Sequence, residues 1–81
     1  MTHVDGNAIA GTLEEVFGRD VTVAVGRCRS CRAERALGAV HVYYAAGIVA
    51  RCPDCDAVLL RVVRAGARIW LDVSGLSVLQ L

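Results

Sequence analysis

Two short stretches decide the fold of this chain: Cys28-Arg29-Ser30-Cys31 and Cys52-Pro53-Asp54-Cys55, which together contain all four of its cysteines. Twenty residues separate the two pairs, a spacing at the edge of the range expected for a four-cysteine zinc site. Two residues between paired cysteines allow a tight turn to point both sulfurs at one ion. We call these turns the first and the second knuckle. The pattern predicts one tetrahedral metal site, and its ligands are Cys28, Cys31, Cys52 and Cys55.

The short length of the chain indicates that such a metal ion would stabilise the fold. The chain has 81 residues without a long polar linker or a low-complexity segment, which predicts a single domain over residues 1–81. Domains this small have a marginal hydrophobic core and often need a metal, a disulfide or a partner. Four thiolates fill the tetrahedral shell of zinc and leave no position for water or substrate. We therefore predict one structural Zn²⁺ ion per chain.

Two other uses of the cysteines remain open at this stage. A rubredoxin-like electron carrier holds iron with the same four ligands, although the chain has only one tryptophan, two tyrosines and one phenylalanine for an aromatic core. A cysteine redox sensor needs accessible thiolates of low pKa. The positive charges of Arg27, Arg29 and Arg32 around the first knuckle favour such thiolates.

The expected compartment is the cytoplasm. Residues 1–7 lack the positive start and the long apolar run of a secretory signal. Paired cysteines in a reducing cytosol more often bind metal or act in redox catalysis than form lasting disulfides. No window approaches the ~18 unbroken apolar residues of a membrane-spanning helix. We therefore expect a cytoplasmic protein with no membrane partner.

The apolar residues of the N-terminal part recur with helical spacing and predict an α-helix over residues 5–18. Asp5 or Asn7 suits the N-cap, and Gly18 stands where a left-handed C-cap glycine belongs. Beyond the helix, alternating apolar residues and turn signals predict a series of strands. The predicted strands cover residues 20–25, 40–44, 48–51, 58–64 and 68–73.

Together these elements predict a small metal-stabilised α+β fold. It is a zinc ribbon of antiparallel β-strands over residues 20–73 with an N-terminal α-helix. The C-terminal tail, residues 74–81, fits either a last helical turn or an edge strand. Trp70, the sole tryptophan, is expected in the core rather than on the surface as a stacking platform, although which face of its alternating strand is buried stays open.

The charge pattern around the knuckles is asymmetric, although the net charge of +1 gives no global signature of a nucleic-acid binder. The second knuckle carries Asp54 and Asp56. The first is flanked by arginines, namely Arg27, Arg29, Arg32 and Arg35. Such arginines are candidate contacts to phosphate or nucleic acid. The favoured alternative is that they offset the charge of a four-thiolate zinc centre and pair with the two aspartates.

An enzymatic function has no support in the sequence. His3 and His41 are the remaining ligand or acid–base candidates, and neither lies beside a nucleophile motif. A histidine on a strand is more often packed or solvated than a ligand. Since no phosphate-binding loop, catalytic triad or paired carboxylate motif is found, we expect a protein that is not an enzyme.

The chain is unusually apolar for its size. Its hydrophobic fraction is 56% and its mean hydropathy is +0.50, against about 45–50% apolar residues in typical globular domains. A small domain cannot bury all of this surface in its own core. We therefore expect a protein partner or a homo-oligomer.

Five stretches of the sequence are also found together in a known family: Asp5–Gly11, Gly26–Cys28, Val40–Tyr43, Arg51–Cys55 and Ile69–Asp72. On these residues the chain resembles a family of small actinobacterial zinc-ribbon proteins of unknown function. The resemblance covers nearly the whole length. It implies a zinc-ribbon fold and is compatible with an accessory or adaptor role.

The functional prediction is a small protein that binds structural zinc and acts as a protein-interaction or accessory module. The alternative is a nucleic-acid-binding zinc ribbon associated with transcription or the ribosome. One departure from the wider ribbon pattern bears on the knuckle geometry. A glycine commonly follows the second cysteine of such a turn, whereas Arg32 and Asp56 stand there in this chain.

Overall fold

The computed structural model describes residues 3–81, which form one α-helix and eight strands in two antiparallel sheets. The helix α1 covers Ala10–Phe17. The strands are β1 Val4–Asp5, β2 Val25–Cys28, β3 Glu34–Ala36, β4 His41–Ala45, β5 Gly47–Arg51, β6 Val58–Ala65, β7 Arg68–Asp72 and β8 Leu76–Gln80. One sheet has five strands in the order β1-β4-β5-β6-β7, and the other has three in the order β3-β2-β8. The chain is thus a small β-rich protein with one short helix.

The N-terminal helix is shorter than the predicted range 5–18. Gly6–Ile9 forms a 3-10 turn, and the α-helix starts only at Ala10. Asp5 caps the 3-10 turn, since its carboxylate accepts a hydrogen bond of 3.1 Å from the backbone N–H of Asn7. Gly18 ends α1 with a φ of 76°, and its N–H donates to the carbonyl of Glu14. The predicted C-cap is therefore confirmed.

The strand predicted for residues 20–25 is wrong. The side chain of Asp20 accepts hydrogen bonds from the backbone N–H and the hydroxyl of Thr22, and the N–H of Ala24 donates to the carbonyl of Val21. These bonds close a turn, which buries Val21 and leaves Val23 81% exposed. The strand β2 begins only at Val25. Local side-chain bonds of this kind compete with a strand ladder, and the alternation of valines did not reveal them.

Two hairpins of the five-stranded sheet, β4–β5 and β6–β7, match the prediction closely. β4 and β5 pair from His41–Arg51 to Ala45–Gly47, and β6 and β7 pair from Arg61–Asp72 to Ala65–Arg68. The expected burial of Trp70 is wrong, because its side chain is 61% exposed while the neighbouring Ile69 packs against the core. Alternation along a strand predicts that one of two faces is buried but does not identify which.

The C-terminal tail is a strand, and not a helical turn. β8 lies at the edge of the three-stranded sheet and pairs antiparallel with β2. β1 also joins the five-stranded sheet, by pairing with β4. The strands therefore extend on both sides of the predicted range 20–73. Short β3, which no pattern predicted, forms a hairpin with β2.

The core lies between the two sheets and the helix. Its most deeply buried large side chains include Leu13 of α1, Val42 of β4 and Leu60 of β6. Cys28 and Cys52 belong to the same cluster. Burial of such apolar side chains is worth about 1.5–3 kcal/mol each. No helix within residues 3–81 is long and apolar enough to cross a membrane.

Candidate metal centre

Each knuckle is the tip of a hairpin, and the two hairpins belong to different sheets. The first knuckle joins β2 to β3 in the three-stranded sheet. The second joins β5 to β6 in the five-stranded sheet. A group bound between the knuckles therefore links the two sheets directly.

The structure brings all four predicted ligands together. Their sulfur atoms lie within 4.8 Å of one another. The Sγ atoms of Cys28 and Cys55 are 3.6 Å apart, and those of Cys31 and Cys52 are 3.7 Å apart. Sulfurs bound to one zinc ion at ~2.3 Å in a tetrahedron are ~3.8 Å apart, whereas a disulfide bond is only ~2.05 Å long. These two distances are close to that expected around one metal ion and far too long for disulfide bonds.

The backbone of the two knuckles follows one pattern. The N–H groups of Arg32 and Asp56 donate to the carbonyls of Cys28 and Cys52, each over 2.9 Å. The N–H groups of the same two cysteines donate to the backbone carbonyls of Ala33 and Ala57, five positions later, and these bonds close each hairpin. One backbone N–H in each knuckle points at the buried sulfur: that of Cys31 lies 3.5 Å from Cys28 Sγ, and that of Asp54 lies 3.4 Å from Cys52 Sγ. Such donors stabilise thiolate ligands.

Arg32 and Asp56 adopt the left-handed conformation that glycine usually supplies. Their φ angles are 68° and 65°, a region that costs a residue with a side chain roughly 1–2 kcal/mol. These are the two positions at which zinc ribbons commonly have a glycine and this chain does not. The knuckle geometry is therefore retained at a cost in backbone strain, which other interactions at the centre must offset.

The four sulfurs differ in burial. Cys28 and Cys52, the first cysteine of each knuckle, are only 2% and 1% exposed, whereas Cys31 and Cys55 are exposed. The buried pair follows the strand ends and belongs to the core, while the exposed pair lies on the turns. A metal ion bound here would rest against the core on one side and approach solvent on the other.

The backbone donors, the burial and the neighbouring thiols of the cluster shift the pKa values of its cysteines in different directions. The backbone N–H of Cys31, opposed in part by desolvation, lowers the pKa of the Cys28 thiol to about 7. At Cys31 the backbone N–H of Ala33 acts to lower the pKa, but desolvation and the neighbouring thiols outweigh it and raise the pKa to about 12. One thiolate therefore forms readily, and its negative charge disfavours the ionisation of the next thiol. A bound cation removes this conflict, because coordinated thiols are deprotonated outright.

Comparison with known proteins places the whole chain in one family. A family model described as "Family of unknown function (DUF6510)" matches residues 1–81. The chain belongs to this family. No curated protein and no solved structure matches it.

Two arginines beside the first knuckle of this DUF6510 member, Arg27 and Arg35, form ion pairs within the chain. Arg35 of β3 donates two hydrogen bonds, of 2.6 and 2.9 Å, to the carboxylate of Asp54. This pair joins the first hairpin to the second knuckle, and it lowers the pKa of Asp54. Arg27 donates two hydrogen bonds to Glu34 within the β2–β3 hairpin. The expectation that knuckle arginines pair with the aspartates therefore holds for Asp54.

Asp56 has a different partner from the one expected. It lies 3.9 Å from the guanidinium of Arg51, which also donates to the Asp56 carbonyl over 2.8 Å. The Arg32 side chain makes no hydrogen bond or ion pair within residues 3–81. Of the four candidate contact residues, Arg27, Arg29 and Arg32 line one surface groove together with Ser77 and Val78, while Arg35 is held at Asp54.

One supporting segment was missed at the sequence level. The loop between β7 and β8 braces the first knuckle: the N–H of Arg29 donates to the Gly75 carbonyl over 2.9 Å, and the Arg29 side chain donates to the carbonyls of Ser74 and Leu76. Gly75 in turn donates its N–H to the carbonyl of Leu59 in β6. The Ser-Gly pair was a turn signal, but nothing in the sequence linked it to the knuckle.

The two histidines lie together on the five-stranded sheet and take no part in the cysteine cluster. The rings of His3 and His41 stack with their centroids 3.8 Å apart, and Tyr43 lies beside them at 5.6 Å from His3. This arrangement agrees with packed histidines on the surface of a strand.

Proposed function

We propose that this chain is a non-enzymatic interaction module in which one structural zinc ion joins two small sheets. The observation that carries the proposal is the convergence of four cysteine sulfurs from the tips of two hairpins in different sheets. In this role the domain is a zinc ribbon, and its function is to present a stable surface to a protein partner.

The residues at the centre divide this task. Cys28 and Cys52 would hold the ion from the core side, and Cys31 and Cys55 would hold it from the solvent side. Zinc supplies a redox-inert centre of fixed geometry. The full set of protein ligands excludes water from the metal, so the chain supplies no open position for catalysis. The Arg35–Asp54 pair fixes the hairpins to one another beside the ion.

Metal analysis tests this proposal. The purified protein is expected to contain one zinc ion per chain and to show no absorption band in the visible range. Chelation is expected to loosen or unfold it, because metal binding of ~10–16 kcal/mol is largely folding energy in such small domains. Iron with a visible absorption band would favour the electron carrier. A metal-free protein with unchanged circular dichroism would contradict a structural site.

A nucleic-acid-binding ribbon is the second candidate, because three of the four knuckle arginines line one groove. Its weakness is that Arg27 is paired with Glu34 and Arg29 donates to backbone carbonyls. Under our first proposal, mixed-sequence oligonucleotides bind to this protein no more tightly than they bind to an unrelated neutral domain, even at low salt.

Salt-dependent binding that is lost in the Arg32→Gly variant would instead favour nucleic acid. Glycine suits the φ of 68° at this position, so this variant removes the charge without disturbing the turn. Arg19→Ala, which removes an exposed arginine outside the groove, is the matched control. Titrations followed by fluorescence anisotropy over a range of salt concentrations distinguish the two functions.

A further inference from the structure

The strand β7 leaves one edge of the five-stranded sheet open. Among the residues that the structure describes, its only neighbour in the sheet is β6. Natural proteins usually protect such an edge with lysine, proline, a bulge or a covering segment. β7 has the sequence Arg68-Ile69-Trp70-Leu71-Asp72 and pairs with β6 without a bulge. Its central residues are apolar, so the edge is well suited to pair with another strand.

Much of the apolar surface left outside the core is found at this edge. Trp70, Leu71 and Val73 are 61%, 37% and 39% exposed. A groove with mainly apolar walls is lined by Leu71 and Val73 together with residues of β8, among them Leu76 and Leu79. An uncovered edge next to an uncovered groove indicates a binding surface.

The sequence of β7 is complementary to itself in the antiparallel direction. We propose that β7 pairs with β7 of a second copy of this chain, with Trp70 at the two-fold axis. In that register Arg68 of each copy faces Asp72 of the other, and Ile69 faces Leu71. The two tryptophans face each other between the two charge pairs. An isologous interface needs this kind of self-complementarity.

The backbone of β7 agrees with this register. Ala65 and Arg68 flank a two-residue loop and form the first pair of the β6–β7 ladder. Pairs flanking such a loop are hydrogen-bonded, and the pairs then alternate along the hairpin. Trp70 therefore directs its backbone groups toward β6, while Ile69 and Leu71 direct theirs toward the open edge. Pairing centred on Trp70 gives the outward N–H and C=O groups of Ile69 and Leu71 hydrogen-bond partners in the second copy. In the same register the side chains of residues 68, 70 and 72 form the pairs in which the two strands approach most closely.

Charged residues stand at both ends of β7: Arg68 lies opposite the uncharged Ala65 of β6, and Asp72 lies opposite Arg61. Hydrogen bonds from the side chain and backbone of Ser74 lower the pKa of Asp72, so its carboxylate is ionised at neutral pH. Within residues 3–81 the guanidinium of Arg68 has no ion-pair partner. In an in-register parallel pairing Arg68 would face Arg68 and Asp72 would face Asp72, so the two charges favour the antiparallel arrangement, and only pairing centred on Trp70 places both opposite-charge pairs face to face.

This inference rests on the proposed function, because it names the partner of the interaction module. Pairing extends the five-stranded sheet across two copies and places their apolar grooves on the same side of it. An edge of five residues is small compared with the ~800 Å² per partner of a standard interface. We therefore expect a weak dimer that dissociates on dilution.

Sedimentation equilibrium of the zinc-loaded chain over a wide concentration range provides the first test. The molar mass is expected to rise from that of one chain to that of two. The emission of the single tryptophan shifts to shorter wavelength over the same range, because Trp70 becomes shielded from water. A chain that stays monomeric at every concentration would overturn the inference.

Charge reversal tests the register. Arg68→Asp alone and Asp72→Arg alone each place like charges opposite each other twice, and each is expected to weaken self-association about tenfold or more. A mixture of the two variants restores both opposite-charge pairs, so it is expected to form a heterodimer at least as stable as the wild-type dimer. Failure of the mixture to associate would overturn this register.

Two further variants separate a loss of dimerisation from a loss of folding. Asp72→Asn removes the charge but retains the side-chain oxygen that accepts the 2.8 Å hydrogen bond from Ser74, and it is expected to weaken the dimer less than Asp72→Arg. Tyr44→Ala, at an exposed residue of the internal strand β4, is the matched control and should leave the dimer unchanged. A dimer insensitive to every β7 substitution would place the interface elsewhere and refute the inference.

Zinc content measured on the same samples separates this inference from the proposed function. A zinc-loaded monomer would contradict the β7 interface and leave the structural zinc site standing. A dimer with intact fold but no metal would contradict the structural zinc site alone.

Discussion

Replacing Cys52 by serine is expected to release the metal ion and unfold the chain. Cys52 is 1% exposed and belongs to the core cluster as well as to the four-sulfur centre. Structural zinc contributes ~10–16 kcal/mol to the folding of comparable domains, whereas a whole domain is stable by only ~5–15 kcal/mol. Loss of one of four ligands therefore removes a large share of the stability. Serine also places an unpaired hydroxyl in the core.

Zinc content and circular dichroism measure this outcome directly. Ser30→Ala changes an exposed residue of the first knuckle that is not a ligand, and this control should retain both zinc and fold. Cys55→Ser removes an exposed ligand with less damage to the core, so it separates metal loss from loss of packing. If either cysteine variant retains one zinc ion per chain and an unchanged spectrum, the four-ligand site is wrong.

Replacing Gly75 by alanine is expected to destabilise the protein by about 3 kcal/mol or more, because the added Cβ has no room. It would overlap the carbonyl oxygen of Val58 and lie 2.6 Å from the Cα of Leu59. Both are backbone atoms of β6, which cannot move aside without disturbing the sheet. The same shift would break the hydrogen bond between Gly75 and Arg29 that braces the first knuckle.

Urea denaturation followed by circular dichroism measures the loss. Gly11→Ala is the matched control, since a Cβ at Gly11 meets nothing within 4 Å and the residue lies inside α1. Alanine there should stabilise the protein by about 0.5–1 kcal/mol, because glycine loses more backbone entropy in a helix. A Gly75→Ala variant as stable as the wild type would show that β8 and β6 are not held together at this point.

The predictions that succeeded rest on local features of the chain. The β4–β5 and β6–β7 hairpins carry alternating residues around short turns, and Gly18 marks the end of α1 with a left-handed conformation. Such signals act over a few residues and need no distant partner. The paired spacing of the cysteines is of the same kind, because two residues between ligands suit one turn.

The errors share a different cause. The valines of residues 20–25 alternate as in a strand, but bonds from the Asp20 side chain to Thr22 close a turn instead. Trp70 lies on the face that the core does not cover, and β3 is too short to give a pattern. In each case the outcome depends on which neighbours the folded chain provides. Burial and edge pairing are properties of the assembled sheets and not of a segment.

The sequence by itself determined the four cysteines as the candidate ligands and the positions of the two knuckles, since ligand spacing and turn chemistry are local. Only the tertiary structure decided that the knuckles belong to different sheets, that Gly75 and Arg29 brace the first of them, and that β7 is left as an open edge. These features arise from contacts between residues far apart in the chain. Their free energies depend on distance and packing in three dimensions, which no local pattern records.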